Sequence, residues 1–187
     1  MNFLLHSRGE PDRAFKGSLD ILSKLGEDIR SVDSVDISGM IVQIQLRMKD
    51  VDEDSDFSKV NEVDNEHFTL MQFYCQAAFL AWFGQNPSIF SWLTCRLVEI
   101  SIEHGLCKYA AAGFAYLACI LCSKSESMKD GYRFGKIGMA HLKRFDEPSQ
   151  VPNFYLSYYG YVAFLFEPLQ NVANQLRRGM NIGLSAG

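Results

Sequence analysis

Ile100-Ser-Ile-Glu-His-Gly105 closes an apolar-periodic run on a glycine, and the same ending occurs twice more, at Ile21-Leu-Ser-Lys-Leu-Gly26 and Ile182-Gly-Leu-Ser-Ala-Gly187. A glycine just past an amphipathic run takes the left-handed conformation that ends a helix. The glycines lie 79 and 82 residues apart, each close to two units of forty. Helical hairpins of ~34–47 residues are the units of several solenoids. Phe145, just before Asp146-Glu147-Pro148, divides the second interval nearly in half. The spacing therefore predicts an all-α chain of about four helical hairpins, a tetratricopeptide-like α-solenoid, with residues 1–187 forming a single helical-repeat domain.

Working outward, a short helix is expected from about Asn2 to Ser7, closed by Gly9, with Pro11 opening the next helix in a first turn that needs no N–H. Further helices are expected over Pro11–Leu25, Ile37–Lys49, Glu66–Phe83, Pro87–His104, Lys108–Cys122, Lys129–Phe145, Asn153–Phe166 and Pro168–Ala186. In the fourth of these, Ile89, Leu93, Leu97 and Ile100 recur at helical spacing. Lys108–Cys122 is apolar nearly all round, as suits a helix covered on several sides.

Gly131, Gly135 and Gly138 lie on one face of their helix with Leu142 and Phe145. Each interior glycine costs ~1 kcal/mol relative to alanine. Close approach of a neighbouring helix offsets that cost, with Ala111, Ala115 and Ala118 as the expected partner face. Small residues beside aromatics recur as Ala77-Ala78-Phe79, Gly113-Phe114-Ala115-Tyr116 and Tyr159-Gly160-Tyr161. Gly113, Ala115 and Gly160 are accordingly expected at helix seams, where a small side chain lets the paired helix close in.

The 187 residues are 48% hydrophobic and 21% charged, a globular balance rather than a disordered one. A net charge of −4 excludes broad nucleic-acid affinity, which needs a basic surface. Phe68–Cys95 and Pro148–Phe166 carry no charge. The first run is broken at Gly84-Gln-Asn-Pro-Ser88 and the second opens on polar residues, so neither supplies the ~20 apolar residues of a membrane span. Five cysteines in apolar stretches, and a start that turns polar after five residues, lead to the expectation of reduced thiols in a cytoplasmic protein.

No catalytic, cofactor or metal site is expected. Cys119-x-x-Cys122 lies inside the most apolar helix with no second pair to complete four zinc ligands. Gly131-x3-Gly135-Lys136 lacks the spacing and the Ser/Thr of a phosphate loop. Asp50-Val-Asp-Glu-Asp-Ser-Asp56 would have to serve as a calcium loop, but positions six and twelve are Ser55 and Asn61 rather than Gly and Glu. It reads as a solvated connection. His6, His67, His104 and His141 show no paired spacing. Surface binding remains. Tyr74, Tyr116, Tyr155, Tyr158 and Tyr159 are candidates for a concave binding face, against the alternative that they fill grooves between repeats. An aromatic content of 13% leaves a second alternative, a small apolar ligand held in the groove.

Several stretches occur together in a known setting: Leu5-His-Ser-Arg-Gly-Glu-Pro-Asp-Arg-Ala14, Gly105-Leu-Cys-Lys-Tyr-Ala-Ala-Ala-Gly-Phe-Ala-Tyr116, Gly131-Tyr-Arg-Phe-Gly-Lys-Ile-Gly138, and Glu167-Pro-Leu-Gln170 leading to Gly183-Leu-Ser-Ala-Gly187. In that order they resemble the helical-repeat region downstream of the AAA-type ATPase in large predicted-ATPase signalling proteins. The resemblance covers nearly the whole chain. It implies a fragment or a reduced descendant of such a region, with a protein partner or neighbouring signalling domains. It carries over no ATPase, kinase or cyclase residue, because no position here matches one.

Overall fold

The computed structural model describes residues 10–84 and 86–185, and within them helices are joined by turns and loops, with one isolated bridge and no strand. The expected Asn2–Ser7 helix, the Gly9 turn and the Gly187 cap lie outside the described residues. Eight α-helices follow in order: α1 Pro11–Lys24, α2 Ile37–Arg47, α3 Asn65–Phe83, α4 Pro87–Glu103, α5 Ala110–Cys122, α6 Met128–Phe145, α7 Val151–Tyr161 and α8 Leu169–Ser185.

Local chemistry sets the boundaries. Proline occupies the first turn of α1 and of α4. The side chains of Asp36, Asp64 and Asn86 accept from the backbone N–H of Gly39, His67 and Ile89 at 2.9, 2.9 and 3.2 Å. Gly26 and Gly105 hold φ of +97° and +116°, and Asp146 ends α6 at +42°. After Gly26, the N–H of Glu27 reaches back to Leu22 O at 3.1 Å, the six-to-one bond of a Schellman ending. The seventh helix is shorter than its pattern suggests. It stops at Tyr161, and a 3₁₀ turn at Ala163–Leu165 carries the chain to Pro168, which disfavours helical backbone at Glu167.

Three hairpins, α3–α4, α5–α6 and α7–α8, each pack helix on helix, and they are linked by α4 on α5 and α5 on α7. Ahead of them α1 packs on α3 and α2 on α4. Ile120 and Cys122 aside, every residue of α5 is buried. The helix is a wall between two cores. Ala112 and Tyr116 face a cluster with Tyr74, Trp92 and Leu93, while Phe114, Ala115 and Ala118 face one with Phe134, Phe154 and Tyr158. Each fully buried aromatic contributes roughly 1.5–3 kcal/mol of apolar transfer, so α5 is the element on which the packing depends most.

Two tethers fix the connections. Leu106 N–H donates to Asn61 O at 2.9 Å and Val63 N–H to Leu106 O at 3.2 Å, joining the segment before α3 to the turn after α4. The acidic loop after α2 is held by two arginines of α6. Arg133 donates to Met48 O at 2.7 Å and to Val51 O, and Arg144 to Val60 O at 2.8 Å and to Phe57 O. Asp130 steadies Arg133 through an ion pair of 2.6 Å and accepts from Gln45 of α2 at 2.7 Å.

Candidate functional site: a groove along α3, α5 and α7

Residue numbers rise together along α3, α5 and α7. At one end Asn153 of α7 meets Cys75 of α3 at 4.0 Å and the Tyr116 hydroxyl of α5 at 2.9 Å. Farther along, the Cys119 thiol reaches Ser157 O at 3.4 Å, and the rings of Trp82 and Tyr161 meet edge-on at 4.8 Å. The three helices therefore run parallel, with α5 recessed between α3 and α7. Alanines at 77, 78, 81, 111, 115 and 118, each 0–1% exposed, let the helices draw together beneath.

The recess opens as a cleft of about 410 Å³, lined by Gln72, Cys75, Gln76 and Phe79 of α3, by Lys108 and Tyr109 at the head of α5, and by Ser149, Gln150 and Asn153 around the start of α7. Its far end turns apolar at Phe79, Phe83, Leu156 and Tyr161. A larger depression of about 620 Å³ lies beside α8, but it is walled almost wholly by that one helix, through Asn174, Arg177, Arg178, Asn181, Ile182 and Ser185. The groove brings three elements to one place and is the better-built site.

Its chemistry is neutral. Lys108 Nζ is taken by Glu147 Oε2 at 3.3 Å. Glu147 is held below the usual carboxylate range by hydrogen bonds from Ser149, with Lys108 adding to the effect. Burial pushes the Cys75 thiol up to about 12, with Cys107 close by reinforcing it. Burial likewise pushes the Tyr109 phenol up to about 12 and Tyr116 well above its ordinary value. These groups stay protonated near neutrality. With the Tyr109 phenol, the amides of Gln72, Gln76 and Gln150 on the cleft lining offer hydrogen-bond donors and acceptors to a ligand.

The tyrosines expected on a concave face are inside the packing. Tyr74, Tyr116, Tyr155, Tyr158 and Tyr159 are all 0–8% exposed. Tyr74 meets Trp92 at 5.9 Å and ends beside the Glu27–Arg96 ion pair, while Tyr155 and Tyr159 pack edge-on at 5.1 Å. Their rings supply the area that closes the helix seams, and only Tyr116 touches the groove, from below. The residues that do line it include Gln72, Gln76, Asn153, Phe83, Leu156 and Tyr161. One signal could have found the first two: glutamines inside the charge-free run Phe68–Cys95, in register with Phe79 and Phe83 at helical spacing.

The seam residues divide. A Cβ on Gly113 would stand 2.9 Å from Leu97 Cγ, on Gly131 2.6 Å from Cys122 Sγ, on Gly135 2.4 Å from Tyr158 Cε2, and on Gly138 2.8 Å from Phe154 Cε2 and 3.0 Å from Ala111 O. Ala115 is fully buried. Gly160 differs. A Cβ there would meet only Leu156 Cδ1, at 3.8 Å, so no helix approaches it closely.

The other sequence candidates lie apart from the groove. Cys119 is buried and Cys122 half-buried, and burial raises both thiols. His67 and His104 stack at 3.8 Å, with Asp64 Oδ1 on His67 Nδ1 at 2.8 Å. His6 lies outside the described residues. Among the described residues no three of His, Cys, Asp and Glu are arranged to hold a metal ion, and no helix is long and apolar enough to cross a membrane.

Comparison with protein-family models, curated proteins and solved structures finds no match for this chain.

Proposed function

We propose that this chain is a non-catalytic, tetratricopeptide-like helical-repeat module that holds a protein partner along the α3–α5–α7 groove. The observation that carries the proposal is the parallel run of three helices, each backed by the second helix of its own hairpin, with the open cleft between them. Stacked hairpins that bind through the face of their first helices are the working form of α-solenoids. The resemblance of the sequence supplies the setting, a scaffolding or relay role in signalling, with the partner either a separate protein or a neighbouring domain of an ATPase-containing signalling protein.

The test compares wild type with Gln76→Arg, which puts a charge into the groove, as baits for partner capture read by mass spectrometry. A partner lost from the variant while its melting temperature is kept supports the proposal. An identical captured set would sink the groove as the binding face, and ATP hydrolysis by the purified chain would sink the non-catalytic role. The cleft volume of about 410 Å³ also falls among those of small-molecule pockets and favours, as a second reading, a sensor of a small apolar ligand. That reading predicts a rise in melting temperature with some member of a metabolite panel.

A further inference from the structure

We infer that the groove's occupant is an extended, uncharged peptide stretch of about five residues that lays one bulky apolar side chain over the exposed Phe83–Leu156–Tyr161 surface; this rests on the groove being the binding face. Length comes first. Gln72, Gln76, Phe79 and Phe83 fall on one face of α3, and eleven residues of helix span about 16 Å. An extended chain covers that distance in about five residues.

The chemistry changes along the row. Near the heads of α5 and α7, the Gln72, Gln76 and Gln150 side chains each carry a carbonyl and an NH₂ group, the same pair of functions a peptide bond presents. They match a backbone whatever its sequence. A charged side chain would have to compete for its counter-ion there, because Lys108 is already paired with Glu147 at 3.3 Å. Desolvating such a charge without a partner is strongly unfavourable.

At the other end Phe83, Leu156 and Tyr161 are 59, 42 and 45% exposed. The two rings are braced, Phe83 by Phe79 at 4.9 Å and Tyr161 by Trp82 at 4.8 Å. A rigid, half-exposed aromatic corner gains most by covering an aromatic or leucine side chain. Gly160 lies one helical turn after Leu156, and a Cβ there would meet nothing nearer than 3.8 Å. The missing side chain keeps this rim low where the occupant's backbone would pass.

Panning a phage-displayed random dodecapeptide library on the full chain tests the inference, with the selected peptides remeasured on Gln76→Ala, Phe83→Ala and Gln76→Arg. Both alanine positions are at the surface, and melting temperatures verify folding. The expected result is a selected core of about five uncharged residues containing Phe, Trp, Tyr or Leu, with affinity falling about tenfold on Phe83→Ala, as for an interface anchor, and by less on Gln76→Ala. Selected cores that are charged, or that bind Phe83→Ala as well as wild type while losing affinity on Gln76→Arg, would overturn this occupant and leave the groove standing. Peptides that bind all three variants equally, or no selection at all, would remove the binding face and the occupant together.

Discussion

Gly135 of α6 lies so close to the ring of Tyr158 that an added Cβ would stand 2.4 Å from Cε2 and 2.5 Å from Cδ2. The contact joins the third hairpin of the stack to the second, and Tyr158 is only 1% exposed, so its ring has nowhere to go.

Gly135→Ala therefore sets a helix-propensity gain of ~1 kcal/mol against overpacking that costs about 1–3 kcal/mol. The expected net is a loss of up to about 2 kcal/mol, read from urea unfolding. Gly160→Ala carries the same propensity gain with its nearest contact at an ordinary 3.8 Å, and should be neutral to stabilising by up to about 1 kcal/mol. Equal effects at the two positions would show that seam packing is not what Gly135 provides.

Gly26 and Gly105 separate backbone strain from steric clash. Both hold positive φ, but a Cβ on Gly26 would meet nothing within 4 Å, whereas on Gly105 it would stand 2.4 Å from Asn61 O. Gly26→Ala should cost about 1–2 kcal/mol, the penalty of left-handed backbone alone. Gly105→Ala should cost more and should loosen the 61–63 segment, seen as faster amide exchange at Val63 and Leu106. Indistinguishable losses would mean that the Asn61–Leu106 tether yields freely.

These glycines also mark what was legible in the sequence. The Gly26 and Gly105 helix endings, the proline starts and the periodic runs are local features, so the described helices could be placed to within about two residues, except that the one expected to reach Phe166 ends at Tyr161. The tyrosines were not legible. An aromatic at a helix position serves a seam as well as a surface, and only the relative rotation of α5 and α7 decides that Tyr116 and Tyr158 turn inward. Gly160 shows the same ambiguity, since a small residue between aromatics marks a close approach at Gly113 and an open rim at Gly160. The groove itself depends on α3 and α7 lying parallel, which joins residues about 80 apart in the chain, as Cys75 and Asn153 are.

Arg133 and Arg144 give the acidic loop its place, although nothing in the loop's own composition suggests that it is anchored. Removing either guanidinium leaves backbone carbonyls without their charged donors, at about 1.5–3 kcal/mol for a hydrogen bond to a charged group. Arg133→Ala should free Met48 and Val51, and Arg144→Ala should free Phe57 and Val60. Limited proteolysis within residues 50–56 should become faster in both variants. Unchanged cleavage would show that the apolar contacts of Phe57 hold the loop by themselves.

His141 is the last case, and its effect depends on pH. The imidazole is 1% exposed, neither ring nitrogen has a hydrogen-bond partner among the described residues, and it packs against Phe57 at 4.4 Å and Phe114 at 4.9 Å. Burial, with Arg144 close by, lowers its pKa to about 3. In the unfolded chain the group takes up a proton near pH 6.5. Below that value the unfolded state binds a proton that the folded state refuses, so stability is lost as pH falls from about 6.5 towards 3. The slope is about 1.4 kcal/mol per pH unit, or roughly 2–3 kcal/mol by about pH 4.5. His141→Leu removes the proton difference and two unsatisfied nitrogens, leaving an apolar side chain among the phenyl rings. Denaturant unfolding of both proteins between pH 7 and 4.5 checks this. The wild type should lose stability more steeply than the variant, and parallel curves would mean that His141 finds a partner or solvent in solution.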